Sequence, residues 1–195
     1  MTKVSGLTAE RVLDVAQELI QTRGYNGFSF RDIAQAIGIK SASIHYHFPS
    51  KGDLGVVLVA RYRRLFGEEL AEVRRRQTAA PKRLKCFIAL FRRTLTEQRL
   101  CLCGVLAAER GSLPEEVNAE VRAFFKLCED WLVEVLKDGR AAGEIEFRGP
   151  PQALADHLIS LLEGAMVMAL SLDDLDRFDK AAQGFLRILK PAADG

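Results

Sequence analysis

Nowhere in the 195 residues do eighteen apolar ones follow one another, and no signal segment opens the chain. A membrane span and an export signal are therefore not expected, and the chain reads as cytoplasmic. Strand-like alternation, internal repeats and low-complexity tracts are missing too, which leaves an all-helical reading. There is no H-E-x-x-H, phosphate loop, dinucleotide fingerprint or nucleophile–base pair, so an enzyme is disfavoured and no cofactor is expected. Histidine is scarce, and only His157 lies outside residues 45–47. A lone histidine on an apolar helix is ordinarily a core or interface residue. The four cysteines (Cys86, Cys101, Cys103 and Cys128) come without secretory features and read as thiols rather than disulfides. Cys101 and Cys103 would diverge by about 200° on a helix. No neighbouring Cys or His supplies a zinc spacing, so no metal site is expected.

What the chain does have is concentrated between Phe28 and Phe48, FSFRDIAQAIGIKSASIHYHF. Ser29 with Asp32 three residues on has the form of a capping box. Ile33, Ala34 and Ile37 make one apolar face at helical spacing. Gly38 ends that helix, because a left-handed residue costs glycine nothing. Ile44 and Phe48 then form a second stripe. Small Ala34, the glycine four residues later and Ile44 six further on have the spacing of a helix-turn-helix.

With Ile44 and Phe48 inward, the second helix turns Ala42, Ser43 and Tyr46 to solvent, with His45 and His47 on its flanks. Such groups can donate to phosphates and base edges, and Ala42 can meet a thymine methyl. Arg31, Lys40 and Lys51 each stand where a helix begins. Positive charge there opposes the helix dipole, at about 0.3–1 kcal/mol each. Phosphates joining them would remove that penalty. Charge is also uneven along the chain: residues 1–76 hold 12 Lys/Arg against 8 Asp/Glu, net +4, and the remaining 16 against 18 give −2. That suits a single nucleic-acid face.

FSFRDIAQAIGIKSASIHYHFPSKGDL resembles the DNA-binding signature of the TetR family of bacterial transcriptional regulators. Ser29, Asp32, Ile33, Ala34, Gly38, Ile39, Ile44, His47, Phe48, Ser50, Lys51 and Leu54 match its pattern. His45 departs from the usual tyrosine and Lys40 from the usual capping serine, a duty Ser41 is expected to take over. The resemblance covers residues 8–54. It implies an all-α fold of about nine helices: a three-helix head over residues 1–50, then a ligand-binding and dimerisation part over 51–195, with 51–76 as connecting helix. It also implies double-stranded operator DNA, a small-molecule inducer or corepressor and a second copy of the chain as partners. The expected DNA-binding set is Ser29, Arg31, Lys40, Ser41, Ala42, Ser43, His45, Tyr46, His47 and Lys51. Ser41 to Ser43 and Tyr46 should lie nearest base edges, with Arg31, His45, His47 and Lys51 on phosphates.

Around this stretch, Met1 to Gly6 reads as a short lead-in, Thr8 as the cap of helix one and Gly24 as its end. Ser50 and Asp53 cap a long helix to about Arg76. Pro81 opens another, with Leu84, Phe87, Ile88, Phe91 and Leu95 inward. Ser112 to Glu115 looks like a capping box starting a long helix that ends at Gly143. From Leu158 to Leu172 only Ser160, Glu163, Gly164 and Ser171 interrupt the apolar residues. Such a helix needs burial on nearly all sides. Leu158, Leu161, Leu162, Ala165 and Ala169, with Phe185 on the last helix (capped by Asp173, stopped by Pro191), are the expected two-fold interface.

In the proteins it resembles, a cavity behind the head binds the signal, and the fourth helix carries the shift to DNA. Phe87, Phe91, Cys101, Cys103, Phe124, Cys128, Trp131, Met166 and Met168 are the candidate lining, suited to an apolar, aromatic or acyl ligand. A rival reading keeps the head but makes the cysteines the input of a thiol or electrophile sensor.

Overall fold

In the computed structural model, the backbone is described for residues 2–189 and side chains for residues 8–189. Among the described residues there are nine α-helices, one 3-10 turn and no strand: α1 Thr2–Arg23, α2 Phe30–Ile37, α3 Ser41–His47, α4 Lys51–Arg76, α5 Ala80–Thr96, α6 Leu102–Ala108, α7 Glu115–Ala141, α8 Pro151–Ser171 and α9 Asp176–Ile188. They divide into two compact units. The first is residues 1–64 with 102–124, and the second is 65–101 with 125–195. The first unit thus takes in a segment, 102–124, well beyond the expected boundary at residue 50.

In the first unit, α1 packs on α2, α3 and α6. Val12, Leu13, Ala16 and Ile20 are the buried stripe of α1, meeting Ile33 and Ala34 of α2 and Ile44 of α3 in the core. Gly38 leaves α2 with φ 73°, a left-handed cap that any side chain would strain. Arg61 holds α4 to α1 through Glu10 at 3.0 Å and Asp14 at 2.5 Å. Helix α1 begins at Thr2, so Thr8 lies inside it and Thr2 to Gly6 are helical rather than a lead-in. Met1 and Pro191 lie outside the described residues.

The second unit is built on α8, which packs against α9 and α5. Arg92 of α5 grips Asp179 of α9 with two hydrogen bonds, at 2.9 and 3.2 Å. Among the described residues α8 is the one helix long and apolar enough to cross a membrane, a property of its average composition that no unbroken apolar run announces. Ala155, Leu158, Leu162, Ala165, Met166 and Ala169 are buried in the chain's own core. The start of α9 differs from expectation as well. Its backbone is tied by Asp174, whose carboxylate accepts the Asp176 N–H at 3.2 Å, and Asp173 sits in the left-handed region instead of capping.

Candidate functional site

The α2–α3 pair is built as its spacing requires. The Asp32 carboxylate accepts the Ser29 N–H at 2.7 Å and the Ser29 hydroxyl at 2.6 Å. These bonds hold the Asp32 carboxyl below its ordinary range. Lys40 is the first, non-helical residue of α3 and no side chain caps it, so Ser41 is the first helical residue and not the cap. Ser50 and Asp53 do form the reciprocal box at the start of α4, at 2.9 and 3.1 Å.

Helix α3 presents the expected face. Ile44 is fully buried and Phe48 nearly so, while Tyr46 is 81% exposed. Ala42, Ser43 and His45 are exposed beside it, and Ser41 and His47 are half-buried. Arg31 and Lys40 are exposed at the starts of α2 and α3. The His45 ring leans edge-on against Phe30, centroids 4.8 Å apart. Its Nδ1 lies 3.3 Å from the Pro49 carbonyl oxygen, within reach of an Nδ1–H donating to it. Phe28, Ser29, Phe30, Arg31, Ser41, His45 and Lys51 line an open depression of about 440 Å³ at this end of α2 and α3.

Lys51 departs from the phosphate role expected of it. Its ammonium folds inward and donates to the Phe28 carbonyl oxygen. There it lies 4.0 Å from the centre of the Phe28 ring and 4.8 Å from that of Tyr25. A long flexible side chain goes where desolvated aromatic faces and a carbonyl reward it. Burial pulls its pKa down, against the pull of the Glu109 and Asp32 charges. Lys51→Ala should therefore cost about 1–3 kcal/mol of unfolding stability by urea titration. The salt slope of DNA binding should stay unchanged. A slope flatter by about one would return Lys51 to the phosphates.

Glu109 is a residue that sequence reasoning missed. Its carboxylate accepts the Tyr25 N–H at 2.7 Å, the Asn26 N–H at 3.2 Å and the Asn26 side-chain amide at 2.7 Å. That amide also donates to Ser112 Oγ at 2.8 Å. Gly24, at φ 80°, carries the chain past this carboxylate, where a β-carbon would collide with it. Ser112 is thereby engaged and ends the 3-10 turn Arg110–Ser112 rather than capping α7.

Of the candidate effector residues, Phe87, Phe91, Cys101, Cys128, Trp131 and Met166 are buried in the second unit. Cys103 and Phe124 are buried in the first, Phe124 beside the Tyr62 ring at 5.3 Å. Met168 is 51% exposed on the outer side of α8, so it belongs to a surface and not to an interior. In the second unit Trp131 stacks on Phe87 at 5.6 Å with 17° between planes, and Phe91 and Phe66 complete the cluster.

Glu163 on α8 is the other residue missed. Its Oε1 is enclosed without a hydrogen-bond partner, as is Trp131 Nε1. Burial pushes its carboxyl up to about 7, against the opposing hydrogen bond from the Cys101 thiol. Burial, and then the charge of Glu163, push the Cys128 thiol far above its ordinary range. The signal was an acid inside an otherwise apolar helix.

A stability consequence follows with a definite sign. Below the ordinary value of 4.5 the carboxyl is protonated in both folded and unfolded chains; from there to about 7 only the folded chain holds the proton. Stability should fall as pH rises through that window, by at most about 3 kcal/mol at about 1.36 kcal/mol per tenfold. Glu163→Gln should match the native chain at pH 4.5 and exceed it at pH 8 in urea midpoint. Equal losses in both proteins would exclude Glu163 as the source.

The expected interface residues Leu158, Leu162, Ala165, Ala169 and Phe185 face the chain's own core, and only Leu161 stays half-exposed. The apolar surface left open is a different stripe. It holds Gly164, Val167, Met168 and Leu172 along α8 and its end, with Gly184 and Ile188 on α9; the four side chains other than glycine are 49–52% exposed. Space beyond Gly164 and Gly184 is open.

Comparison with known proteins decides what this head belongs to. The family model for bacterial regulatory proteins of the tetR family matches residues 12–55. The tetracyclin repressor-like C-terminal domain matches 80–185, more than half of the chain. The chain belongs to the TetR family. A TetR-family transcriptional regulator from Agrobacterium tumefaciens superposes with a TM-score of 0.92 and 35% identity, covering 95% of this chain and 99% of that one. The repressor DhaR of Mycobacterium sp. strain GP1 is 26% identical over 87% of each chain. The regulator AcuR of Cereibacter sphaeroides is 24% identical over 85% of this chain and 77% of its own. As a TetR-family member the protein is a DNA-binding transcriptional regulator and not an enzyme. The first match spans the α2–α3 pair, which makes α3 the recognition helix in such a head.

Proposed function

We propose that the protein is a cytoplasmic, homodimeric repressor of a palindromic operator, released by a small and largely apolar organic molecule held in the second unit. The observation that carries the DNA half is the α3 face. Tyr46 stands 81% exposed with Ala42 and Ser43 beside it, on a helix anchored by buried Ile44 and Phe48. The ring and hydroxyl of Tyr46 thus stand free to meet base edges or phosphates. Repression is the reading favoured by the relatives named as repressors, DhaR among them.

Assembly is read from the open stripe of α8 and α9. Small residues at Gly164 and Gly184 allow close approach, and the flanking Val167, Met168, Leu172 and Ile188 supply apolar area. The cysteine-input alternative has less support. Cys101, Cys103 and Cys128 are buried, and Cys128 is held as a neutral thiol, the unreactive form. A chain with all four cysteines replaced by serine or alanine should still release its operator on the physiological signal.

The test is selection from a pool of random duplexes followed by footprinting of the winners. Enrichment of a two-fold site with half-sites about 34 Å apart, or a larger regular spacing, supports the reading. Enrichment of no sequence, or of a single undivided site, refutes it.

A further inference from the structure

We infer that Glu163 and Trp131 are the polar contacts of the effector site, and that they select a neutral aromatic or alkyl molecule carrying a hydroxyl or primary amide. This rests on the effector reading above and supplies its ligand chemistry. Trp131 and Cys128 lie three residues apart and so share one face of α7. Glu163 of α8 reaches that same face, because its carboxyl both receives the Cys101 thiol hydrogen and acts on Cys128. One helical turn along, about 5.4 Å, comes the Trp131 ring stacked on Phe87.

Two enclosed polar atoms with no partner therefore stand in the second unit on residues that both adjoin Cys128: an acceptor, Glu163 Oε1, and a donor, Trp131 Nε1–H. Leaving such atoms unpaired in a folded interior is costly, because each has given up its water without a replacement. Chains keep few of them, and those kept call for a reason. The aromatic cluster of Phe66, Phe87, Phe91 and Trp131 supplies flat apolar surface beside them. Met166, one turn after Glu163, supplies a side chain able to repack.

A molecule completing this arrangement must donate to Glu163 and accept from Trp131. A hydroxyl or a primary amide does both. A carboxylate offers no donor and, at pH 8 where Glu163 is ionised and the probes below are compared, brings a second negative charge to a buried acid. A bare hydrocarbon leaves both atoms unpaired.

Trp131 is the only tryptophan in the chain, so its indole N–H gives a single resonance in a 1H–15N spectrum. The full-length protein would be titrated with three probes that share one ring system: 2-naphthol, naphthalene and 2-naphthoate. Affinity would be read by calorimetry and the indole signal by NMR. We expect 2-naphthol to bind at least about tenfold tighter than the other two and to move the indole proton downfield. Glu163→Leu should bring 2-naphthol and naphthalene to within about twofold. Glu163→Gln, which keeps the shape and the acceptor, should retain 2-naphthol and admit 2-naphthoate. Urea midpoints of both variants show that the fold survives.

Equal affinity for all three probes, or a head-group preference unchanged in Glu163→Leu, overturns the inference and means that ordered water serves these two atoms. An indole signal that none of the probes moves also overturns it. The repressor reading fails by a different result: 2-naphthol binds as expected, yet operator retention is unchanged at saturation.

Discussion

Met168→Glu is expected to convert the protein to monomers and to weaken operator binding by about 10²–10⁴-fold. The residue is 51% exposed on α8, between Gly164 and Leu172 on the open stripe. A carboxylate there harms no contact inside the chain, so the monomer should stay folded. Across a two-fold axis, however, the substitution brings two charges into one apolar patch, where neither finds a partner. Two head units held on one frame bind their half-sites as one event, and separated heads lose that advantage. Ala165→Glu is a poorer choice, because Ala165 is 9% exposed and a charge there would damage the chain's own core. Sedimentation at micromolar concentration and operator titration together check the prediction. A Met168→Glu chain that still sediments as a dimer would move the interface elsewhere.

Glu109→Ala should lower unfolding stability by about 2–4 kcal/mol and weaken operator binding in parallel. Three N–H groups of Tyr25 and Asn26 converge on this one carboxylate. Hydrogen bonds to a charged acceptor contribute about 1.5–3 kcal/mol, and their loss leaves the half-buried Tyr25 N–H without a partner. The neighbouring Lys51 ammonium would also lose an opposite charge. Because the anchored loop leads directly into α2, loosening it blurs the position of the recognition helix that follows. Glu109→Gln keeps one acceptor oxygen but turns an amide toward the remaining donors, so it should recover about half of the loss. Urea titration of the two variants checks the order. If Glu109→Ala unfolds at the native midpoint, the carboxylate is not what holds this turn.

The contrast between these two residues shows which parts of the molecule were legible in the chain. The α2–α3 pair was, because its determinants are local: Ser29 and Asp32 are three residues apart, Gly38 needs only its own φ, and Ile44 and Phe48 fall one turn apart. The exposed face of α3 followed from the same 100° step. Helix α8 was legible as a helix but not in its orientation. When nearly every position is apolar, the period no longer says which side meets α9 and α5, so the interface was placed on Leu158, Leu162, Ala165, Ala169 and Phe185, the side that is buried. The inward turn of Lys51 was not legible, because its stem can reach either solvent or the Tyr25 and Phe28 rings, and only the tertiary fold sets the rings there. Glu109 pairs across 84 residues, a distance at which spacing carries no signal. Glu163 could have been suspected, since an acid in an apolar helix is costly unless something uses it.

Tyr46 tests most directly whether α3 reads DNA bases, because its side chain is 81% exposed and meets its neighbour His47 edge-on rather than the core. Fluorescence anisotropy of a selected operator and of a random duplex, each titrated with native chain and with Tyr46→Ala at several salt concentrations, separates base reading from phosphate attraction. The expected result is an operator affinity lowered by about 1–3 kcal/mol, with affinity for random duplex and the salt slope both unchanged. A Tyr46→Ala protein that discriminates the operator from random duplex as well as the native chain does would contradict the claim.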